Sequence, residues 1–153
     1  MMAPTSSATC CQWPGDAGLI GLSFPEDNQV LIGQARLSSF SGLLTWPQIG
    51  SATTRQIGEG SGQGPGEFVY PLSMDRAPDG RIYVLDAGNA RIQTFDEAGR
   101  FITGWGTKGD SDDQFDFGSG RKSTDLSGSI AVDDDGFIYV ADVGNRRIQK
   151  FAP

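Results

Sequence analysis

Two sets of polar residues recur at matched spacing in this chain: Asp86, Asn89 and Arg91, then Asp142, Asn145 and Arg147 56 residues further on. A carboxylate, an amide and a guanidinium in such an array could serve as a ring of ligand contacts. The same groups could instead act locally. Asp and Asn would bond backbone to fix a turn, and Arg would pack its stem while pairing with the carboxylate. A set carried by every unit serves what every unit needs, so the structural role is the expectation. A second candidate is Gly109-Asp110-Ser111-Asp112-Asp113-Gln114-Phe115-Asp116, because Ca²⁺ favours clustered carboxylate oxygens. It lacks the sixth-position Gly and the terminal Glu of a helix-flanked calcium loop, and reads as a solvated acidic loop. Asp133-Asp134-Asp135-Gly136 reads as a turn.

Other chemistries are excluded by composition. The chain has 153 residues and no His, which removes imidazole acid–base catalysis and imidazole metal ligation from its own residues. Its two cysteines, Cys10 and Cys11, are adjacent. A bond between neighbours is strained, and the pair fits neither C-x-x-C metal spacing nor a Cys/His nucleophile. No cofactor, catalytic or metal site is therefore expected. The net charge of −7 argues against nucleic-acid binding, which depends on neutralising phosphates. Residues 56–153 hold 16 carboxylates against 10 basic residues, so the acidity is spread and is not a tail. The apolar run Ala17–Phe24 is short and broken by Gly18, Gly21 and Ser23, a poor signal peptide and no membrane span. The compartment stays open.

The elements that must position these residues are strands. The 17-residue stretch from Asp79 to Phe95 returns as Asp135 to Phe151 with 12 positions identical. A Gly-rich lead-in, a Phe, then D-G-x-(I/V)-Y-V-x-D-x-x-N-x-R-(I/V)-x-x-F resembles the NHL repeat. What the resemblance implies is an all-β fold, a partial β-propeller of four-stranded antiparallel blades. The β-branched and aromatic runs predict strands at Ile82–Leu85, Arg91–Phe95, Phe101–Gly104, Ile130–Val132, Phe137–Val140 and Arg147–Phe151. A degenerate first unit lies upstream, with Leu19–Leu22 as first strand, Val30–Ile32 as second, Arg36–Phe40 as third and Gly42–Trp46 as fourth. The D-x-x-N turn reads as deleted there. Units are expected at 12–58, 59–106 and 107–153 behind a flexible tail of 1–11, with about nine residues inserted in the Phe117–Asp125 loop. The last unit stops at Pro153 without a fourth strand.

Tyr83, Tyr139, Phe95, Phe151, Trp46 and Trp105 stand at matched positions and are expected in the core. Non-repeated loop residues carry more functional weight: Phe68, Tyr70, Lys108, Arg121, Lys122 and Arg146. A six-bladed ring at ~45 residues per blade needs roughly 270 residues, so this chain alone cannot close one. Truncation, a two-chain ring, or an open stack would each account for that. Open blade edges invite self-association. The resulting expectation is a non-catalytic module binding a protein or peptide through its loop face. The alternatives implied by the resemblance are a fragment of a propeller lyase or hydrolase, or of a ubiquitin-ligase recognition domain.

Overall fold

Runs of β-branched and aromatic residues between Gly, Asp and Asn turns fold into strands throughout. The computed structural model describes residues 9–12, 19–34, 55–119 and 125–153, and no α-helix occurs among the described residues. The first sheet is antiparallel in the order β1 (Thr9–Gln12), β2 (Leu19–Phe24), β3 (Gln29–Gln34) and β4 (Arg55–Ile57). A two-residue parallel ladder, β5 (Gly60–Ser61) with β6 (Glu67–Phe68), lies in the connection that follows. The second sheet comprises β7 (Pro71–Arg76), β8 (Ile82–Asp86), β9 (Arg91–Phe95) and β10 (Phe101–Trp105). A matching parallel ladder joins β11 (Thr107–Lys108) to β12 (Gln114–Phe115). The third sheet has β13 (Ser129–Val132), β14 (Ile138–Asp142) and β15 (Arg147–Phe151). All six strands expected from the repeat are present, with ends shifted by no more than two residues.

The first unit differs from its expected reading by one strand. Thr9–Gln12, of which Thr9–Cys11 were expected in a tail, pairs with β2 as Thr9↔Ser23 through Gln12↔Ile20. Leu19–Phe24 is therefore the second strand and Val30–Ile32 belongs to the third. The turn between them is not deleted. Pro25–Asp27 forms a 3₁₀ turn closed by Asn28 at φ 51°, as Ala87–Asn89 is closed by Ala90 at φ 50°. A left-handed residue ending a short turn gives the same reversal whatever its side chain, and that conformation is not written in a fixed motif. The fourth-strand place is taken by Arg55–Ile57, paired as Val30↔Ile57 to Ile32↔Arg55. Arg36–Phe40 and Gly42–Trp46 lie outside the described residues.

The sheets stack face to face on two apolar layers. Val30, Ile32 and Ile57 of the first sheet meet Phe68, Met74, Ile82, Val84 and Phe95. On the other side of the second sheet, Tyr83, Leu85 and Ile92 meet Phe115, Ile130, Ile138 and Val140. β8 is covered on both faces, so all five of its residues are buried despite the period-2 alternation. In β14 only Ile138, Val140 and Asp142 are buried, because one face alone is covered. Side chains of the second sheet also satisfy inner-strand amides of the third: Val132 N–H donates to Asp75 Oδ2 at 2.7 Å, and Ile130 N–H to Ser73 Oγ at 3.3 Å.

Candidate functional site: a clamped loop rim

The repeated polar residues converge on the loops that enter each unit. Asp86 ends β8 with its side chain fully buried. Its Oδ1 accepts Val69 N–H at 2.7 Å, and its Oδ2 accepts from Asn89 Nδ2 at 2.8 Å and Arg91 Nε at 2.8 Å. Arg91 spends its remaining donors on carbonyls of the lead-in loop, at Gln63 (2.8 Å), Gly64 (2.9 Å) and Glu67 (2.8 Å). Asn89 Nδ2 also reaches the Gly62 carbonyl at 3.0 Å.

The third unit repeats the cage. Asp142 Oδ1 accepts Asp116 N–H at 2.7 Å, while Oδ2 accepts Asn145 Nδ2 at 2.9 Å and Arg147 Nε at 2.8 Å. Arg147 Nη2 donates to the Ser111 carbonyl at 2.6 Å and to Gln114 at 3.0 Å, and Asn145 Nδ2 to Gly109 at 2.8 Å. The chemistry of these residues is thus directed at the chain's own backbone. A buried carboxylate is neutralised by a guanidinium whose fork then pins a Gly-rich loop that could not hold its shape alone.

Sequence reasoning missed a fourth member. Gln93 Nε2 donates to the Glu67 carbonyl at 2.7 Å and to Asp86 Oδ2 at 3.3 Å, and its Oε1 accepts Gly66 N–H at 2.9 Å. Gln149 makes the equivalent bonds to Gln114 (2.7 Å), Asp142 (3.2 Å) and Asp113 N–H (3.3 Å). The signal was present, since Gln93 and Gln149 are identical across the repeat. A polar residue inside a strand reads as solvent-facing until the strand's other neighbours are known.

The two carboxylates titrate differently. Burial pushes Asp86 above its ordinary value against the pull of Asn89, the Val69 amide and Arg91. For Asp142 burial also pushes upward, but the Asp116 amide, Asn145 and Arg147 outweigh it and hold the group below its ordinary value. The second sheet is packed on both faces and the third on one, so desolvation is stronger at Asp86.

The clamp also shows which loops share a rim. The turn after the second strand bonds to the lead-in loop in both units, Gly88 N–H to the Val69 carbonyl at 2.8 Å and Gly144 N–H to Asp116 at 2.7 Å. On this rim Lys108 and Arg146 are exposed, Arg146 with a left-handed backbone at φ 56°. Lys108 Nζ donates to the Gly118 carbonyl at 3.0 Å and lies 3.7 Å from Asp116. Tyr70 is half-buried at φ 52°, its N–H donating to Asn28 Oδ1 at 2.6 Å. Arg121 and Lys122 lie outside the described residues.

Phe68 requires correction. It was expected among the loop residues that contact a partner, yet it is 0% exposed and packs 5.6 Å from the Phe95 ring. A short loop pinned beside two sheets turns its aromatic inward, because that is the only way to bury it. In the acidic run Asp110, Asp112 and Asp113 are exposed. Among the described residues no three His, Cys, Asp or Glu gather closely enough to hold a metal ion. No described helix is long and apolar enough to cross a membrane.

Residues 128–151 match the family model of the NHL repeat. No curated protein matches the chain. Among solved structures, one of streptogramin B lyase, a β-propeller, is similar to this chain with a TM-score of 0.55 and 13% identity. The match covers 90% of this chain and 35% of the lyase chain. A likeness at this identity shows the fold. The stacked antiparallel sheets are the blades of a partial β-propeller carrying an NHL repeat.

Proposed function

We propose that this partial propeller is a non-catalytic interaction module that binds a protein or peptide through its loop rim. One observation carries the reading: the repeated Asp, Asn, Arg and Gln residues are consumed in shaping the rim, leaving the non-repeated Lys108 and Arg146 exposed on it. A rigid set of loops carrying variable residues is how a repeat scaffold presents a recognition surface. The absence of His from the chain agrees with a binding role. In this reading the units meet at Gly58 and Gly106, which follow the fourth strands of the first two sheets at φ 77° and 98°.

The test is a peptide-display selection on the intact chain. Enriched peptides are expected to bind the Lys108→Glu, Arg146→Glu double variant at least about tenfold more weakly, because rim charges govern encounter and register. Far-UV circular dichroism should stay unchanged and the urea midpoint should fall only slightly, since the bond of Lys108 to the Gly118 carbonyl and its pairing with Asp116 are solvent-exposed. Selected peptides indifferent to both substitutions would overturn the rim as the binding face.

A second reading is favoured by the coverage: the chain spans 35% of the length of a propeller lyase, so it would be one segment of a larger propeller enzyme. Its role there would be to supply folded blades, with the reacting groups on other segments. A hydrolase or lyase activity that is absent from the purified chain and appears only when the chain is joined to further blades of a propeller would favour this reading over the first.

A further inference from the structure

We propose that Arg55 and Arg76, at the junction of the first two blades, form a binding site for a carboxylate carried on a short aliphatic stem. The site lies on the face opposite the loop rim and is independent of the binding surface assigned there.

Strand direction places it on that face. β7 runs away from the rim and ends at Arg76, β9 runs the same way into the turn that holds Glu97, and β4 begins at Arg55 at that same end. Both blades that form the junction have four strands. Between them is a cleft of about 140 Å³ lined by Ile32, Arg55, Arg76, Ile82 and Glu97. Ile32 is 5% and Ile82 1% exposed, so the aliphatic lining belongs to the packed layer between the blades. A pocket for a drug-sized molecule measures roughly 300–1,000 Å³, so this one suits a group of a few heavy atoms.

Two guanidinium groups beside an aliphatic floor select for charge and stem together. Arg76 Nη2 holds Glu97 Oε1 at 2.6 Å. Glu97 thereby displays the chemistry the cleft accepts, a carboxylate at the end of two methylenes, supplied by the chain itself. Arg55 Nη1 donates to the Glu97 carbonyl at 2.8 Å, a neutral acceptor. Among the described residues every arginine except Arg55 and Arg146 pairs with a carboxylate, and Arg146 is on the rim. The neighbouring turns add no surplus, since Arg81 is held by Asp79 at 2.6 Å and Arg100 by Asp96 at 2.7 Å. Arg55 therefore leaves one uncompensated positive charge beside the cleft, in a chain of net charge −7. With one nitrogen anchored, its planar fork keeps the other donors set for a second anion. A phosphate would press oxygens against the isoleucines without donors, a desolvation cost that a carboxylate avoids by placing its stem there.

The repeat does not require these arginines. At the equivalent places of the next junction Thr103 stands for Arg55, Val132 for Arg76 and Thr94 for Ile32, while the strand pairing is kept. Blades thus join without the pair, as expected of residues grafted onto the fold to serve a ligand.

The probes are sodium 3-methylbutanoate and the peptide Ala-Ala-Ala-Leu with a free C-terminus. Each is titrated into the intact chain and followed by arginine Nε–Hε and isoleucine methyl signals in NMR spectra. Saturable one-site shifts at Arg55, Arg76, Ile32 and Ile82 are expected. The amides of both probes, and sodium chloride at equal ionic strength, should leave those signals in place. Arg55→Gln should weaken binding about tenfold or more, through loss of a charge-assisted contact. Glu97→Gln should tighten binding about threefold or more, because it releases Arg76 from its internal carboxylate; a role confined to holding the junction together would give no such gain. The Lys108→Glu, Arg146→Glu variant should bind both probes as the parent does. Peptide affinity at least about tenfold above that of the free acid would assign the site to a chain terminus, and anything less to a free small acid. The proposal is overturned by the absence of saturable shifts with either probe, or by shifts that chloride or the amides reproduce. Indifference to Arg55→Gln, or binding that Glu97→Gln leaves unchanged or weakens, would overturn it equally.

Discussion

Asp86 and Asp142 sit in the same cage of partners and respond to acid with opposite sign. The folded value of Asp142 lies below that of the unfolded chain, so the unfolded state takes the proton first. The stability this group adds is present above the ordinary aspartate value and is lost as pH falls through its folded value. Asp86 is raised, chiefly by burial, so its ionised form carries a cost at neutral pH that protonation relieves. Asp142→Asn is therefore expected to flatten the acid limb. Below about pH 4 its urea midpoint should fall less steeply than the parent's, measured by denaturation at stepwise pH. At neutral pH a different substitution is the severe one. Asp86→Ala leaves the Arg91 guanidinium, 19% exposed, without its carboxylate. The expected loss is roughly 3 kcal/mol or more by urea denaturation, the size associated with an orphaned buried charge.

At the scale of elements, identical sequence positions have unequal worth because neighbouring blades differ. Ile92 and Ile148 occupy the same repeat position in β9 and β15, yet one is 0% and the other 72% exposed. Ile92→Ala should cost about 2–4 kcal/mol through a cavity, whereas Ile148→Ala should stay within about 0.5 kcal/mol of the parent. Urea midpoints of the two single variants check the contrast; equal losses would mean that the third blade is covered in solution. The connections are the other sensitive element. Gly106 leaves β10 at φ 98°, and a Cβ there would run into the Phe115 ring and lie 3.2 Å from the Ala90 carbonyl. Gly106→Ala should destabilise by at least about 1–3 kcal/mol, for strain alone, by the same measurement.

For the whole molecule, blades stacked in a row give stability as a sum of unit and nearest-neighbour terms. The second blade has a packed layer on each side, while the third has one. Native-state hydrogen exchange should consequently rank β8 and β9 as the last to open, with β14 and β15 opening at lower free energy despite near-identical sequence. Protection of β15 equal to that of β9 in dilute solution would contradict the ranking. Cooperative unfolding that sharpens with protein concentration would point to assembly through the open face.

Much of this fold is legible in the amino-acid order because its determinants are local. Alternation, turn residues and a repeat matched at 12 of 17 positions determine the strands of the second and third blades and the pairing of Asp, Asn and Arg at their turns. The first blade was misread by one strand, since its turn keeps the left-handed Asn28 but not the motif around it. Phe68 was misjudged because a loop residue's burial depends on which sheet the loop lies against. Gln93 was overlooked because its main-chain partners, the Glu67 carbonyl and the Gly66 N–H, lie 26 and 27 residues away in sequence. The unequal exposure of Ile92 and Ile148, and the opposite titration of Asp86 and Asp142, could not be read from residues that are the same in both units. Those differences arise from how many faces of each sheet are covered, and desolvation and packing depend on what lies across the interface. Only the tertiary structure decides that.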